Sequence, residues 1–227
     1  MLERVLEPEV MDTPEEARDY NDMDHSGVNQ IFVTELLEFA AQHKIESLDD
    51  VLDLGTGTAL IPIELCRRHE SCRVMAIDMA VHMLDLARYN IEVAGLIERI
   101  TLDQVDGKET GYEDGMFDTV ISNSIIHHIP EPRSCLREMA RTVSEDGIVF
   151  VRDLMRPEDD ATVRQIVQTY AGDENEHSQQ MFDDSLRAAL SLDEIRQMVV
   201  ELGFAADSVS ATTDRHWTWA AIKTARP

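Results

Sequence analysis

A short apolar segment that leads directly into a glycine turn and a helical pattern constrains this chain most. Residues 51–59 are Val-Leu-Asp-Leu-Gly-Thr-Gly-Thr-Ala, so Gly55 and Gly57 stand between a predicted strand and a predicted helix. Glycine has no Cβ, which permits a sharp turn and lets a ligand approach the backbone. The free N–H groups at the start of the helix favour a carboxylate or phosphate there. Asp53, just before the glycines, favours a cationic or hydroxyl-rich ligand over a pyrophosphate.

The rest of the chain alternates between short β-like runs and helical patterns, which predicts an α/β fold. We expect a doubly wound, mostly parallel seven-stranded sheet with helices on both faces and an antiparallel last strand. The predicted strands lie at 51–54, 73–77, 99–102, 118–122, 147–151, 209–211 and 216–222. The predicted helices lie at 28–43, 58–69, 79–93, 158–171 and 178–190, with a further one that opens on the capping-box pattern of Ser191 to Glu194.

The length of 227 residues suits one domain. We therefore predict a single domain over residues 1–227. Within it, residues 1–45 are expected to form an N-terminal helical cap. Residues 155–190 are expected to form a helical insertion that covers the site of a second substrate.

Composition excludes several classes of partner. The formal net charge of −25 would repel phosphate backbones, so we expect no nucleic-acid partner. No apolar run approaches the roughly 20 residues that span a bilayer, and we expect no membrane association. The N-terminal residues show no signal-peptide pattern, and the three cysteines form no C-x-x-C pair. A cytoplasmic protein with reduced thiols is therefore expected.

Three acids follow the first three predicted strands, namely Asp53, Asp78 and Asp106. In a doubly wound sheet, ligands bind at the carboxyl ends of the strands near the point where the strand order reverses. We therefore expect the three carboxylates to face one crevice. A carboxylate such as that of Asp78 can accept hydrogen bonds from both hydroxyls of a ribose. Asp106 could accept a hydrogen bond from an exocyclic amine such as that of adenine.

Five segments in order resemble the motifs of class I S-adenosylmethionine-dependent methyltransferases. They are 51–59, Ala-Ile-Asp-Met at 76–79, Val-Asp-Gly at 105–107, Phe-Asp-Thr-Val-Ile-Ser-Asn at 117–123, and the paired segments 136–141 and 147–150. The resemblance implies a Rossmann-like fold and methyl transfer to a small molecule. It also implies that S-adenosylmethionine is bound by Asp53, Gly55, Thr56, Gly57, Asp78, Met79, Asp106, Gly107 and Asn123. Ala59 stands where the family often has a third glycine.

Alternatives remain open at this point. A nicotinamide-dependent oxidoreductase shares the acid at Asp78, but its motif needs glycine at position 60, where this chain has Leu60. The protein could also bind S-adenosylmethionine without catalysis, as a sensor or partner subunit. Each acid has a structural alternative as well. Asp53 could bind turn amides, Asp78 could cap the next helix, and Asp106 could be a solvated loop acid.

His127 and His128 lie just past the fourth predicted strand, where a methyl acceptor would lie. Either could take a proton from an acceptor hydroxyl or amine, although packing and backbone hydrogen bonding are the alternative. We predict no metal site, because two histidines need further ligands. The resemblance also makes Tyr20, Met23 and His25 candidate lid residues over the cofactor, or else the lead-in to a helix. The sequence does not identify the acceptor, the atom methylated or the oligomeric state.

Overall fold

The computed structural model describes residues 2–8, 13, 14, 17, 18, 21, 26–45 and 47–224. The predicted lid residues Tyr20, Met23 and His25 lie outside the described residues.

Seven strands form one sheet, which confirms the predicted fold class. Their order across the sheet is β3-β2-β1-β4-β5-β7-β6. β1 pairs in parallel with both β2 and β4, β2 pairs in parallel with β3, and β6 and β7 are antiparallel. The strand order thus reverses beside β1, where ligands of doubly wound sheets bind. The strands are β1 Asp50–Leu54, β2 Arg73–Asp78, β3 Ile100–Gln104, β4 Phe117–Asn123, β5 Val143–Leu154, β6 Val209–Ala211 and β7 His216–Ile222.

Seven helices lie fully within the described residues, and six of them agree with the predicted helical patterns to within a few residues. The seventh, Pro132–Thr142, was not among the predicted helices. Ser191 caps the last of them through the predicted capping box with Glu194. In the described part of the chain, no helix is both long and apolar enough to cross a bilayer. The helices are α1 Ser26–Gln42, α2 Leu60–Arg68, α3 Val81–Ala94, α4 Pro132–Thr142, α5 Asp160–Ala171, α6 Glu176–Ala188 and α7 Leu192–Glu201, with 3₁₀ turns at Ile126–His128 and Ala206–Ser208.

β5 spans Val143–Leu154 and is therefore longer than the predicted strand at 147–151. The apolar pattern did not predict the full strand because its outer parts contain charged residues. Arg152 and Asp153 are both buried there. The Arg152 guanidinium donates to Thr218 Oγ1 at 3.0 Å, and Asp153 accepts two backbone N–H groups. Buried charged groups persist only when they are bonded in this way.

The chain divides into two compact units. The smaller unit comprises Met1–Glu9, Ser124–Arg133 and Arg152–Trp219, and the larger unit comprises the remaining segments Val10–Asn123, Ser134–Val151 and Ala220–Pro227. The larger unit has a core that includes Phe32, Leu36, Val51 and Phe150, and the smaller unit has its own core of Leu154, Val163, Ile166, Leu186 and Ala189. The single domain with covering segments at 1–45 and 155–190 stays a prediction.

Candidate active site

The glycine turn of the larger unit has an unusual backbone. Gly55, Gly57 and Ala59 have φ angles of 77°, 54° and 60°, so three alternate residues adopt the left-handed conformation. The N–H groups of Gly55 and Thr56 both donate to the Ile77 carbonyl at 2.9 Å, which ties the turn to the end of β2. Ala59 adopts a conformation that favours glycine, and its methyl group is buried in the core of the larger unit. At the position where the family often has a third glycine, Ala59 thus combines a left-handed backbone with a side chain that packs in the core.

A cleft opens beside this turn, at the carboxyl ends of β1 and β4. Thr58 is 1% exposed and Thr56 is 9% exposed, and neither hydroxyl oxygen has a hydrogen-bond partner. A buried hydroxyl without a partner is costly, so both atoms suit a polar ligand. The cleft is lined by Asn29, Asp53, Gly55, Thr56, Thr58, Leu60, Ile61 and Asn123.

The sequence did not single out Asn29, which lies in the first turn of α1. A polar residue at the start of an amphipathic helix is common, and so it gives no signal of a binding role. Asp53, Gly55, Thr56 and Asn123 were predicted and do line the cleft.

Asp53 is the acid inside the cleft, and its side chain is almost fully buried. Burial raises the pKa of Asp53 to about 7, and the nearby negative charge of Asp78 adds to the rise, whereas the neighbouring Thr56 hydroxyl acts to lower it. A cation bound nearby would stabilise the ionised form of this carboxyl group and lower its pKa again.

Asp78 bridges two parts of the site. One of its oxygens accepts the Gly57 N–H at 2.8 Å, and the other accepts the Ala80 N–H at 2.9 Å, just before α3. The predicted helix-capping alternative is thus part of the geometry. It does not preclude ligand binding, since each carboxylate oxygen has two acceptor sites.

The segment after β3 lies beside the end of β2, because the Val105 N–H donates to the Asp78 carbonyl at 3.2 Å. Asp106 accepts the Lys108 N–H at 2.9 Å and lies 3.2 Å from the Lys108 ammonium. A Cβ at Gly107 would lie 2.5 Å from Leu54 Cδ2, so glycine permits close packing there. Met79 is 39% exposed and offers apolar surface next to Asp78. The predicted residues Met79, Asp106 and Gly107 are not among those that line the cleft.

The predicted histidines lie in the smaller unit, in the 3₁₀ turn after β4. His127 is buried, and its Nδ1 lies 2.5 Å from Asp153 Oδ1. Asp153 also accepts the backbone N–H groups of Ile126 and Leu154. Burial alone would lower the pKa of His127, but Asp153 and Glu7 outweigh burial and raise it. A carboxylate at Nδ1 fixes the proton there and leaves Nε2 as the acceptor atom.

Glu7 faces both histidines from the N-terminal segment. Its Oε1 lies 3.6 Å from His127 Nε2 and 3.1 Å from His128 Nδ1, while its Oε2 accepts from the Ser185 hydroxyl. Burial would raise the pKa of Glu7, but His128 and His127 outweigh burial and lower it. Arg4 holds the same segment by donating to the carbonyls of Ala188, His127 and Ile129.

Sequence reasoning missed both acids of this cluster. Asp153 follows the predicted end of β5 by two residues, and an acid at a strand's carboxyl end is the signal that could have found it. Glu7 gave no signal, since it lies 120 positions before His127.

Comparison with known proteins gives consistent matches. A family model described as a methyltransferase domain matches residues 45–201. A phosphatidylethanolamine N-methyltransferase of Cereibacter sphaeroides is 35% identical over 102 residues, which are 44% of this chain and 48% of that protein. A demethylmenaquinone methyltransferase of Lactobacillus johnsonii is 31% identical over 121 residues, 53% of this chain and 50% of that protein. The chain thus spans about half the length of these relatives.

A solved structure extends the likeness to the fold. The structure of a SAM dependent methyltransferase from Aquifex aeolicus has a TM-score of 0.66 and 17% sequence identity, and the match covers 92% of this chain and 98% of that one. The segment matched by the family model includes the glycine turn, Asp78, the histidine pair and Asp153.

Proposed function

Because this chain belongs to the methyltransferase-domain family, we propose that it transfers the methyl group of S-adenosylmethionine to a small-molecule acceptor. The observation that carries the proposal is the cleft beside the Gly55–Gly57 turn. A buried acid and two buried threonine hydroxyls without partners face that cleft. These groups fit a ligand with a cationic and hydrogen-bonding end.

Each predicted donor-binding residue has a role in this proposal. Asp53 faces the cationic methionine end, where Thr56 and Thr58 offer hydroxyls and the Asn123 backbone lies at the end of β4. Gly55 and Gly57 let the ligand approach the turn. The Asp78 carboxylate accepts from the ribose hydroxyls. The adenine end is assigned to Met79, Asp106 and Gly107.

Bound S-adenosylmethionine supplies a methyl group on a sulfonium, which is already a good leaving group. The protein's task is therefore to align the acceptor, exclude water and take up the acceptor's proton. We propose that His127 Nε2 accepts the proton that the methyl acceptor loses, since Asp153 keeps Nδ1 protonated. His128 packs on His127, with ring centroids 4.1 Å apart, and helps to fix it.

The test is conversion of the methyl donor. The purified protein, incubated with methyl-labelled S-adenosylmethionine and a small-molecule metabolite extract, is expected to release S-adenosylhomocysteine and a labelled product. Tight donor binding with no conversion in any extract would favour a binding protein without catalysis. Absence of donor binding, or binding of a nicotinamide dinucleotide in its place, would contradict the proposal.

Donor affinity is expected to depend on pH through Asp53. Only the ionised carboxylate attracts the cationic end, and its pKa in the ligand-free protein is about 7. Affinity should therefore rise about tenfold from pH 6 to pH 8 and level off above, as the ionised fraction does. Calorimetric titration across this range measures the effect. Asp53→Asn should bind weakly with a flat profile, and an equally steep profile in that variant would assign the titration to another group.

A further inference from the structure

Glu7, His127 and His128 form a cluster of polar side chains in the smaller unit. Among the described residues, these are the one group of three metal-ligating side chains whose candidate ligand atoms converge, all within 4.8 Å of one another. Their side chains are 12%, 5% and 18% exposed, so the convergence is largely shielded from solvent. We propose that Glu7, His127 and His128 bind one divalent transition-metal ion, with Zn²⁺ as the best fit.

The distances suit such an ion. With bonds of about 2.0–2.1 Å, the ligand atoms of a tetrahedral zinc site lie about 3.3–3.4 Å apart. Glu7 Oε1 lies 3.1 Å from His128 Nδ1 and 3.6 Å from His127 Nε2, which brackets that spacing. Neither Glu7 Oε1 nor His128 Nδ1 makes a hydrogen bond of proper geometry, although both are buried. An ion between them would satisfy both atoms.

The surrounding groups match the support that metal ligands usually receive. A ligating histidine commonly donates its other ring N–H to a carboxylate, which fixes the ring and its tautomer. Asp153 occupies that position at His127 Nδ1, and Ser185 donates to the second oxygen of Glu7. Two histidines and one carboxylate also form the ligand set of catalytic zinc sites, which keep one position open for substrate.

Charge is consistent with the ion. The carboxylates of Glu7 and Asp153 and the guanidinium of Arg4 surround the histidines, and together these leave a net negative charge. A divalent ion offsets that charge. Arg4 is held by backbone carbonyls, so it has partners of its own.

The sequence predicted no metal because the two histidines lacked a third ligand, and the N-terminal segment supplies it. When the ion is bound, His127 Nε2 is a ligand and cannot take up a proton, so its role as a base belongs to the ion-free protein. The bound ion would then lower the pKa of an acceptor hydroxyl, so that its proton is lost to solvent water, its oxygen takes the methyl group and S-adenosylhomocysteine leaves. This activating role rests on the proposed methyl transfer, whereas ion binding does not.

The test measures binding alone, with no methyl donor present. Chelator-treated protein comprising residues 1–227 is titrated with ZnCl₂ by calorimetry, and CoCl₂ provides a second probe through its visible absorption. One ion per chain is expected for each metal. Glu7→Gln and His128→Gln should each lower Zn²⁺ affinity by at least about tenfold, since even second-shell changes cost 10–100-fold. His177→Gln, an exposed histidine of α6, is the matched control and should bind as the unmodified protein does.

Circular dichroism verifies that each variant is folded. Folded protein that binds no Zn²⁺ would overturn the proposal, as would folded Glu7→Gln and His128→Gln variants that bind it unchanged. Either result would leave methyl transfer intact, because donor binding and turnover are measured separately.

Discussion

Asp78→Ala is expected to weaken S-adenosylmethionine binding by at least tenfold. The substitution removes the acceptor proposed for the ribose hydroxyls, and each hydrogen bond to a charged group contributes about 1.5–3 kcal/mol. It also removes the acceptor of the Gly57 and Ala80 N–H groups, so the turn itself loses a constraint. Calorimetric titration with S-adenosylmethionine measures the loss. Asp85→Ala, which removes an exposed carboxylate of α3, is the control for net charge and should bind normally.

A ligand analogue separates the ribose contact from distortion of the turn. S-adenosylhomocysteine without its 2′-hydroxyl should bind the unmodified protein more weakly than S-adenosylhomocysteine does, and this difference should vanish in Asp78→Ala. Comparing two ligands in two protein variants forms a double-mutant cycle, which isolates the interaction between Asp78 and the 2′-hydroxyl. If the difference persists in Asp78→Ala, or if donor affinity is unchanged, Asp78 holds the turn and not the ribose.

The sheet and the cleft beside the glycine turn were largely predictable because their signals are local. The turn at 55–59 and the acids at 53 and 78 lie next to strands with clear apolar patterns. The strand that was mispredicted in length, β5, contains Arg152 and Asp153, whose burial depends on partners distant in sequence. A pattern of apolar residues cannot show such compensation, since it contains no tertiary contacts.

The same limit explains what was missed around the histidines. His127 and His128 stood out because of their place after β4, but the groups that define their chemistry come from elsewhere in the chain. Glu7 belongs to a segment that mixes charged and apolar residues without a motif, and Asn29 belongs to an ordinary helix start. Adjacent predicted elements therefore indicated candidate residues, whereas contacts between distant segments place Glu7 and Asp153 beside the histidines.

His127→Gln is expected to lower turnover by about 10²–10⁴-fold, the usual contribution of general acid–base catalysis, while donor affinity stays unchanged. The loss follows because glutamine has no group that can accept the acceptor's proton at the position of Nε2. Turnover is measured with the acceptor that the extract assay yields, in chelator-treated protein, so that a bound ion does not mask the base. His177→Gln, which exchanges an exposed histidine in the same way, should retain full turnover.

Asp153→Asn tests the same pair from its other side. Asparagine can accept the same hydrogen bond from His127 Nδ1, but it lacks the negative charge of Asp153. In the unmodified protein that charge raises the pKa of His127. Turnover should fall in this variant too, and combining it with His127→Gln should add little, since the two residues act as one unit.

Addition of free imidazole should partly restore turnover to His127→Ala, because a diffusible base can occupy the space left by the ring. Full turnover in folded His127→Gln would show instead that this histidine is structural and that the acceptor loses its proton to another group.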